Sequence, residues 1–532
     1  MNTYPTGLAR VIIVLTTISA AIMELIDTSI VNVALTKISG SIGVTIEDVS
    51  WVITAYAIAN VIIIPMTGFL GEYFGRKNYY LVSMIIFTVA SYFCGASTGL
   101  AELVAWRFIQ GIGGGALLST SQAILFDAFP PEKRAVASGF FGMGIVLGPT
   151  LGPTVGGFIL DNFENWGYIF YVNIPIGILA TYLTITFIDR KEGEGKKKEG
   201  FKIDYIGILL LMMGVGCLQY VLERGEAEDW FSSASIRNAA VCAVVGIGSF
   251  IWHELRIKNP VVNLRVLNNR TLAITTIFTF TSGVGLFTSV YIYPVLAQRI
   301  LGFTPLMTGL TLLPPTIIGI IMFPIVGKRM SMGASPIPFV VMGLLFFIAF
   351  GWYGGQVNGE VERWDFFIPL AFRAFGMSML QLPLITASVA GLQPKEYAAG
   401  ISLNNMTRQL GGAFGIAISN NYIAQQYAQH RSDLMVNVNA GSPDFMSRLN
   451  GITQNIMART GDVFTTASEK AYKLIDMQID RQAYLLSYLD TFRLISIFFI
   501  AVFPLVFFLK IKKNANQKQH AKEKEAAMQE AH

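Results

Sequence analysis

The chain has few charged residues, few cysteines and few histidines. Asp, Glu, Lys and Arg make up 14% of its 532 residues, against about 25% in soluble proteins. The three cysteines fall in apolar stretches, and the four histidines are scattered without the spacing of a metal site. A nucleophile elbow and a phosphate-binding loop are also missing, which disfavours an enzyme. We therefore expect no metal and no other cofactor, and the small net charge of +5 gives no reason to expect a nucleic-acid partner.

Long apolar runs are abundant instead, and 53% of the residues are hydrophobic. A helix needs about 20 residues to cross a bilayer. Runs close to that length lie at 11–35, 49–71, 79–98, 102–126, 135–160, 168–188, 204–222, 236–254, 272–298, 306–327, 336–353, 364–390, 397–425 and 491–510. We therefore predict an all-α polytopic membrane protein with fourteen transmembrane helices, and with both termini on the same side.

The distribution of Lys and Arg predicts the orientation of these helices. With the N-terminus in the cytoplasm, the inside connections hold most of the basic residues, including Arg76, Lys77 and the basic tail at 511–532. The short outside connections hold five, at Lys37, Arg224, Arg237, Arg299 and Arg363. Because cytoplasmic loops are enriched in Lys and Arg, we expect both termini to be cytoplasmic.

The first apolar run carries two acids, Glu24 and Asp27. They are three residues apart, so a helix places both carboxyl groups on one face. A charged group in the middle of a bilayer costs on the order of 3 kcal/mol, and burial favours its protonated form. One interpretation is a proton-coupling site that lines a cavity. The alternative is a pair of hydrogen bonds that hold helices together without any titration.

The fourth run contains Arg107, and an arginine at such a depth needs a partner. Either Glu24 or Asp27 could supply it. The twelfth run repeats the pattern, with Arg373 in L-A-F-R-A-F-G beside L-V-A-W-R-F-I-Q-G, and a charged, proline-containing turn follows each run. Internal repetition is typical of transporters, whose binding site lies between the two repeats.

Two polar connections divide the chain into domains. The Gly-rich, charged segment 191–203 predicts a flexible cytoplasmic linker. The second connection, 426–490, is long and polar, and we expect one or two helices in it that emerge on the periplasmic side. It is either a solvated insert or a docking surface for a periplasmic partner. The predicted domains are a six-helix bundle at 1–190, two extra helices at 204–254, a second six-helix bundle at 255–510 that includes 426–490, and the tail.

The connection between the second and third runs reads GFLGEYFGRK, from Gly68 to Lys77. Glu72, Arg76 and Lys77, with Asp127 at the same membrane face, could form a charge network that holds the cytoplasmic side shut. Alternatively, these charges only set the topology. The stretch resembles the G-x-L-a-D-r-x-G-r-k signature of the major facilitator superfamily, although Glu72 replaces the usual Asp and Tyr73 the usual Arg. The predicted gate residues are Gly68, Glu72, Gly75, Arg76, Lys77 and Asp127.

Two further motifs resemble the same superfamily. Arg107 begins R-F-I-Q-G, which matches its R-x-x-Q-G signature, and that resemblance implies a part for the arginine in proton transfer. The fifth run resembles the G-P-x-x-G-G motif of drug exporters, with one proline intruding in the usual glycine pair. It implies a kinked, tightly packed helix and export rather than uptake. The motif residues are Gly148, Pro149, Gly152, Pro153, Gly156 and Gly157.

Three stretches resemble the fourteen-span drug:proton antiporters of the EmrB/QacA type. They are L-I-D-x-x-I-V-N-V-A-L from Leu25, W-V-I-T-A-Y from Trp51, and N-x-x-R-Q-x-G-G from Asn405. The resemblance implies proton-driven multidrug efflux by alternating access across a bacterial inner membrane. It also implies two six-helix bundles with two extra helices between them. The long segment before the last run suits the EmrB branch, whose members work with a periplasmic adaptor and an outer-membrane channel.

Candidate substrates are hydrophobic or cationic drugs, held in a cavity with apolar and aromatic walls. The candidate lining residues are Met23, Trp51, Tyr56, Asn60, Gln110, Asn404 and Arg408. Two other functions stay open at this point. One is a proton symporter that takes up a nutrient with the same fold. The other is a membrane enzyme or sensor that transports nothing.

Overall fold

The computed structural model describes residues 4–130, 133–189, 203–357, 364–389, 392–393, 396–436, 438–439 and 442–509. All the regular structure in these ranges is helical. The predicted linker and the basic tail fall almost entirely outside the described residues. The long helices are α1 Gly7–Ile42, α2 Trp51–Phe74, α3 Arg76–Ala96, α4 Leu100–Asp127, α5 Arg134–Asn162, α6 Tyr168–Phe187, α7 Tyr205–Arg224, α8 Ala234–Glu254, α9 Arg270–Val295, α10 Pro305–Ser331, α11 Pro336–Gly354, α12 Phe367–Ala387, α13 Tyr397–Met435, α14 Pro443–Thr460 and α15 Phe464–Val502.

Twelve of these helices are long and apolar enough to cross a membrane by length and composition, within the part of the chain that the structure describes. Helices α4 and α13 are 28 and 39 residues long. They carry the buried Arg107 and Arg408, and they pack inside the same bundle as the other twelve. With these two helices the structure agrees with the fourteen predicted spans and with the all-α fold class.

The helices pack as two groups that meet along two seams. In the first half of the chain α1 packs on α5, and α4 packs on both α2 and α3. In the second half α9 packs on α13, and α12 packs on both α10 and α11. The first seam joins α5 to α10, and the second joins α2 to α13.

The extra pair α7–α8 lies against the second seam. Leu211 and Val215 of α7 share an apolar cluster with Val61 and Ile62 of α2, and Met406 of α13 packs against that cluster. The pair therefore contacts both halves of the protein through apolar side chains.

The segment 426–490 is helical over most of its described length. Helix α13 continues to Met435, α14 is a separate helix, and α15 begins at Phe464. Arg431 of α13 donates to Asp480 and Asp476 of α15, each at 2.7 Å. Beside this ion pair the rings of Tyr427 and Tyr484 stack with their centroids 4.1 Å apart. The two long helices are thus joined well beyond their apolar parts.

Candidate functional site

Asp27 and Arg107 form a fully buried ion pair at the centre of the first half. Asp27 has 0% and Arg107 1% of its side chain exposed, and Arg107 Nη1 lies 2.6 Å from Asp27 Oδ2. Gln110 Nε2 and Asn173 Nδ2 donate to Asp27 Oδ1 at 2.8 and 2.7 Å. Of the two acids that sequence left open, the partner of Arg107 is therefore Asp27.

The remaining contacts of Arg107 hold the guanidinium in one place. Its Nε donates to the carbonyl oxygen of Val52 at 3.1 Å, and its Nη1 also donates to Gln110 Oε1 at 2.7 Å. The guanidinium carbon lies 4.2 Å from the centroid of the Tyr56 ring and 5.6 Å from that of Phe170. A buried pair with this many hydrogen bonds is costly to break, by about 3–5 kcal/mol when one partner is removed.

Asn173 and Ser91 complete this cluster, and our sequence reasoning missed both. Ser91 Oγ accepts from Gln110 Nε2 at 2.8 Å and lies 3.4 Å from Asn173 Nδ2. A signal was present for Asn173, because an amide in the otherwise apolar sixth run must find a hydrogen-bond partner inside the protein. Ser91 gave no such signal, since a serine can bond to its own helix backbone.

Glu24 occupies a different environment one helical turn away. It is 5% exposed, and its Oε1 accepts from Asn60 Nδ2 at 3.1 Å and from the Tyr56 hydroxyl at 3.4 Å. Neither Glu24 Oε2 nor Asn60 Oδ1 has a hydrogen-bond partner among the residues that the structure describes. One oxygen of this carboxyl group is therefore buried without a donor among the described residues.

A charged group on the opposite half, Arg408 of α13, acts on Glu24. The two groups interact electrostatically across the second seam. Arg408 is 3% exposed, and it makes neither a hydrogen bond nor an ion pair with any described residue. The seam thus places an acid of one half opposite a base of the other, without a direct bond between them.

The seam is closed at the end that carries the α2–α3 turn. A Cβ on Gly68 would lie 3.2 Å from the backbone nitrogen of Ala399, so the two backbones touch there. Asn405 Nδ2 donates to Ser119 Oγ of the first half at 3.0 Å and to Gln122 Oε1 at 3.3 Å. These contacts join the two halves on one side of Glu24 and Arg408.

The predicted gate residues lie around the same turn. Arg76 pairs with Asp127, and Lys77 Nζ donates to the carbonyl oxygen of Ile185 at 2.9 Å. Gly75 has φ +83°, a backbone conformation that suits glycine. Glu72 is exposed at the surface.

A family model described as the Major Facilitator Superfamily matches residues 17–416. The chain belongs to this superfamily. The superfamily likeness that the motifs predicted is thereby confirmed, and the protein is a multi-pass membrane transporter.

Its relatives cover nearly the whole chain. It is 32% identical over 511 residues to "Multidrug export protein EmrB" of Escherichia coli (strain K12), a match that spans 95% of this chain and 96% of that protein. It is 30% identical over 498 residues to "Fatty acid resistance protein FarB" of Neisseria gonorrhoeae, which spans 92% and 94%. These full-length matches confirm the likeness to the EmrB branch of the superfamily.

Solved structures support the fold. The human organic anion transporter MFSD10 aligns with a TM-score of 0.55 at 13% identity, over 93% of this chain and 100% of that one. A bacterial homologue of the human lysosomal transporter Spinster, in an inward-facing and occupied conformation, aligns with a TM-score of 0.51 at 13% identity over 95% and 97%. At this identity the likeness concerns the helix arrangement alone.

The glycines of the antiporter motif bring α5 of this superfamily protein against both neighbours. A Cβ on Gly156 would lie 2.8 Å from Ile30 of α1, and a Cβ on Gly157 would lie 2.8 Å from the backbone nitrogen of Leu306 of α10. Pro149 and Pro153 lie inside α5 without ending it. Glycine is therefore required at Gly148, Gly152 and Gly156, where α5 meets the helix that carries the two acids.

The predicted cavity residues divide into two sets. Tyr56, Asn60, Gln110 and Arg408 surround the two acids, as described above. The others contact different regions: Met23 is fully buried in the core, Trp51 stacks on Tyr220 of α7 at 5.7 Å, and Asn404 accepts from Thr279 at 2.7 Å. Contact with a transported molecule stays a prediction for all seven.

Proposed function

We propose that the protein exports hydrophobic or cationic drugs in exchange for protons, by alternating access across the inner membrane of a bacterium. The names of its full-length relatives support drug export. The observation that carries the proton coupling is the environment of Glu24, whose Oε2 is unpartnered among the described residues and faces the seam. The two termini are proposed to be cytoplasmic, from the distribution of Lys and Arg.

Glu24 and Asp27 have separate tasks in this proposal. Asp27 is held by Arg107, Gln110 and Asn173, so it positions α1 and keeps its charge matched in every state. Glu24 exchanges a proton, because its carboxyl group has hydrogen bonds on one oxygen and lies in the opposing fields of Arg408 and Asp27.

Alternating access follows in this proposal because a proton, a cationic drug and Arg408 compete for the carboxylate of Glu24. Its deprotonated carboxylate attracts a cationic drug, or Arg408 when the drug is absent, and its protonation releases either of them. Each proton that moves down a membrane potential of about 100 mV supplies roughly 2.3 kcal/mol, in addition to the pH gradient. That energy is enough to concentrate a substrate several tens-fold.

The test is transport into everted membrane vesicles that contain Glu24→Gln. We expect the wild-type protein to accumulate a fluorescent cationic dye when the vesicles are energised, and the variant to accumulate none while its amount in the membrane is unchanged. Glu102→Gln is the matched control, because Glu102 is an exposed acid near the start of α4 whose one hydrogen-bond partner among the described residues is Thr98. Normal accumulation by Glu24→Gln refutes the coupling role, and loss of dye from energised wild-type vesicles indicates a symporter.

The segment 426–490 suits a periplasmic adaptor, which would connect the protein to an outer-membrane channel. Helix α14 packs on α15 through Leu449, Ala471 and Ile475, so one of its faces is covered and the other is exposed. Replacing 443–460 by a Gly-Ser linker should abolish co-purification of the adaptor and leave dye transport in everted vesicles intact. Unchanged co-purification contradicts this docking surface.

A further inference from the structure

The second half of the protein contains a buried arginine without a matching acid. Arg373 of α12 is 4% exposed. Within the described ranges it makes neither a hydrogen bond nor an ion pair. A buried charge is strongly destabilising unless it is paired and hydrogen-bonded. Arg373 therefore requires an anion from somewhere.

A comparison with Arg107 in the first half shows what Arg373 lacks among the described residues. Arg107 and Arg373 lie at comparable depth, seven residues into α4 and six residues into α12. Each arginine helix also packs between two neighbours of its own half. For Arg107 the acid comes from α1, but α9 contains neither Asp nor Glu, and the same is true of α10, α11 and α12. Among the described residues, these four helices therefore supply no carboxylate to Arg373, whereas α1 supplies Asp27 to Arg107.

Aromatic side chains lie near Arg373, and α12 packs closely on α10 at the next residue. Arg373 interacts electrostatically with Tyr293 of α9, whose ring lies 5.0 Å from that of Phe366. The next residue, Ala374, lies 3.5 Å from the position of a Cβ on Gly319 of α10. Apolar walls of this kind lower the local dielectric constant and strengthen the attraction between a guanidinium and a single negative charge.

We propose that the second half binds one monovalent anion at the guanidinium of Arg373, either a halide or the carboxylate of an organic molecule. Guanidinium groups bind both kinds of anion through their N–H donors. The bound anion pairs with Arg373 in the second half as Asp27 pairs with Arg107 in the first half. Its binding does not depend on proton exchange at Glu24.

Thermal unfolding of the purified full-length protein in detergent tests the proposal. Adding chloride at about ten times its dissociation constant, to protein in a zwitterionic buffer without other small anions, should raise the apparent Tm by roughly 2 °C. Arg373→Gln should remove this rise, whereas Arg329→Gln should keep it, because Arg329 is an exposed arginine at the end of α10. The proposal is wrong if chloride raises the apparent Tm equally in the wild type and in Arg373→Gln. It is also wrong if neither chloride nor benzoate raises the apparent Tm of the wild type.

Benzoate distinguishes the two sources of the anion. A rise in Tm with chloride that benzoate does not reproduce indicates a resident halide, and a larger rise with benzoate indicates the carboxylate of an organic ligand. Bromide bound to wild-type crystals gives a result that does not depend on the folding of any variant. An anomalous peak within about 3.5 Å of the Arg373 guanidinium supports the site. If bromide peaks appear elsewhere and none appears at Arg373, halide binding at this site is refuted.

Discussion

Two acids that lie three residues apart on one helix have opposite environments. Asp27 is enclosed by one half of the protein, with an arginine and two amides bonded to its two oxygens. Glu24 faces the seam between the halves, with both of its hydrogen bonds on one oxygen. In the proposed mechanism Asp27 therefore belongs to the rigid part of the structure, and Glu24 belongs to the part whose surroundings change when the halves move.

The difference follows from which helices reach each acid. Asp27 is contacted by α4 and α6, which belong to its own half and move with it. Glu24 is contacted by α2 and lies opposite Arg408 of α13, and the α2–α13 contact is one of the two seams. In the proposed mechanism alternating access changes the distance between α2 and α13, so we expect it to change the field at Glu24 and to leave Asp27 as it was.

We expect the largest effect from a variant that breaks the ion pair between Asp27 and Arg107. Arg107→Met leaves Asp27 buried without its partner, and we expect a loss of about 3–5 kcal/mol in the free energy of unfolding. Thermal unfolding of the purified variant measures this loss, with Arg459→Met as the control on the exposed helix α14. If Arg107→Met is as stable as the control, Asp27 and Arg107 do not form the fixed part of the molecule.

The double variant Asp27→Leu, Arg107→Met sharpens the result. Replacing both members of a buried pair by apolar residues is often close to neutral, because no unmatched charge remains. We expect the double variant to recover most of the stability that Arg107→Met loses. A double variant as unstable as the single one would mean that packing, and not charge, accounts for the loss.

Sequence reasoning reached the helices and the two acids, but not the contrast between them. Apolar runs predict spans because the bilayer dictates their length, and Arg107 needed an acid for the same reason. The sequence did not predict which acid, Glu24 or Asp27, pairs with Arg107, since both lie on one helix face within reach of a long side chain. It depends on Asn173, which is 146 residues from Asp27 in the chain and meets it only after packing.

The smaller expected effects compare one amide from each environment. Asn173→Leu removes a donor from Asp27 in the enclosed site, where water cannot replace it. A buried acceptor that loses its donor costs about 1–3 kcal/mol, and the apparent Tm should fall accordingly. Transport of the dye by the surviving folded protein should stay coupled to protons, because Glu24 is untouched.

Asn60→Leu should give the smallest change in stability. It removes one donor from Glu24, but it also removes the Asn60 Oδ1 atom that has no partner among the described residues, and these two contributions oppose each other. Glu24 keeps the Tyr56 hydroxyl. We therefore expect an apparent Tm within about 1 °C of wild type together with an altered pH dependence of dye transport. A fall in Tm as large as that of Asn173→Leu would show that Glu24 is enclosed as firmly as Asp27, and the division of tasks between the two acids would be wrong.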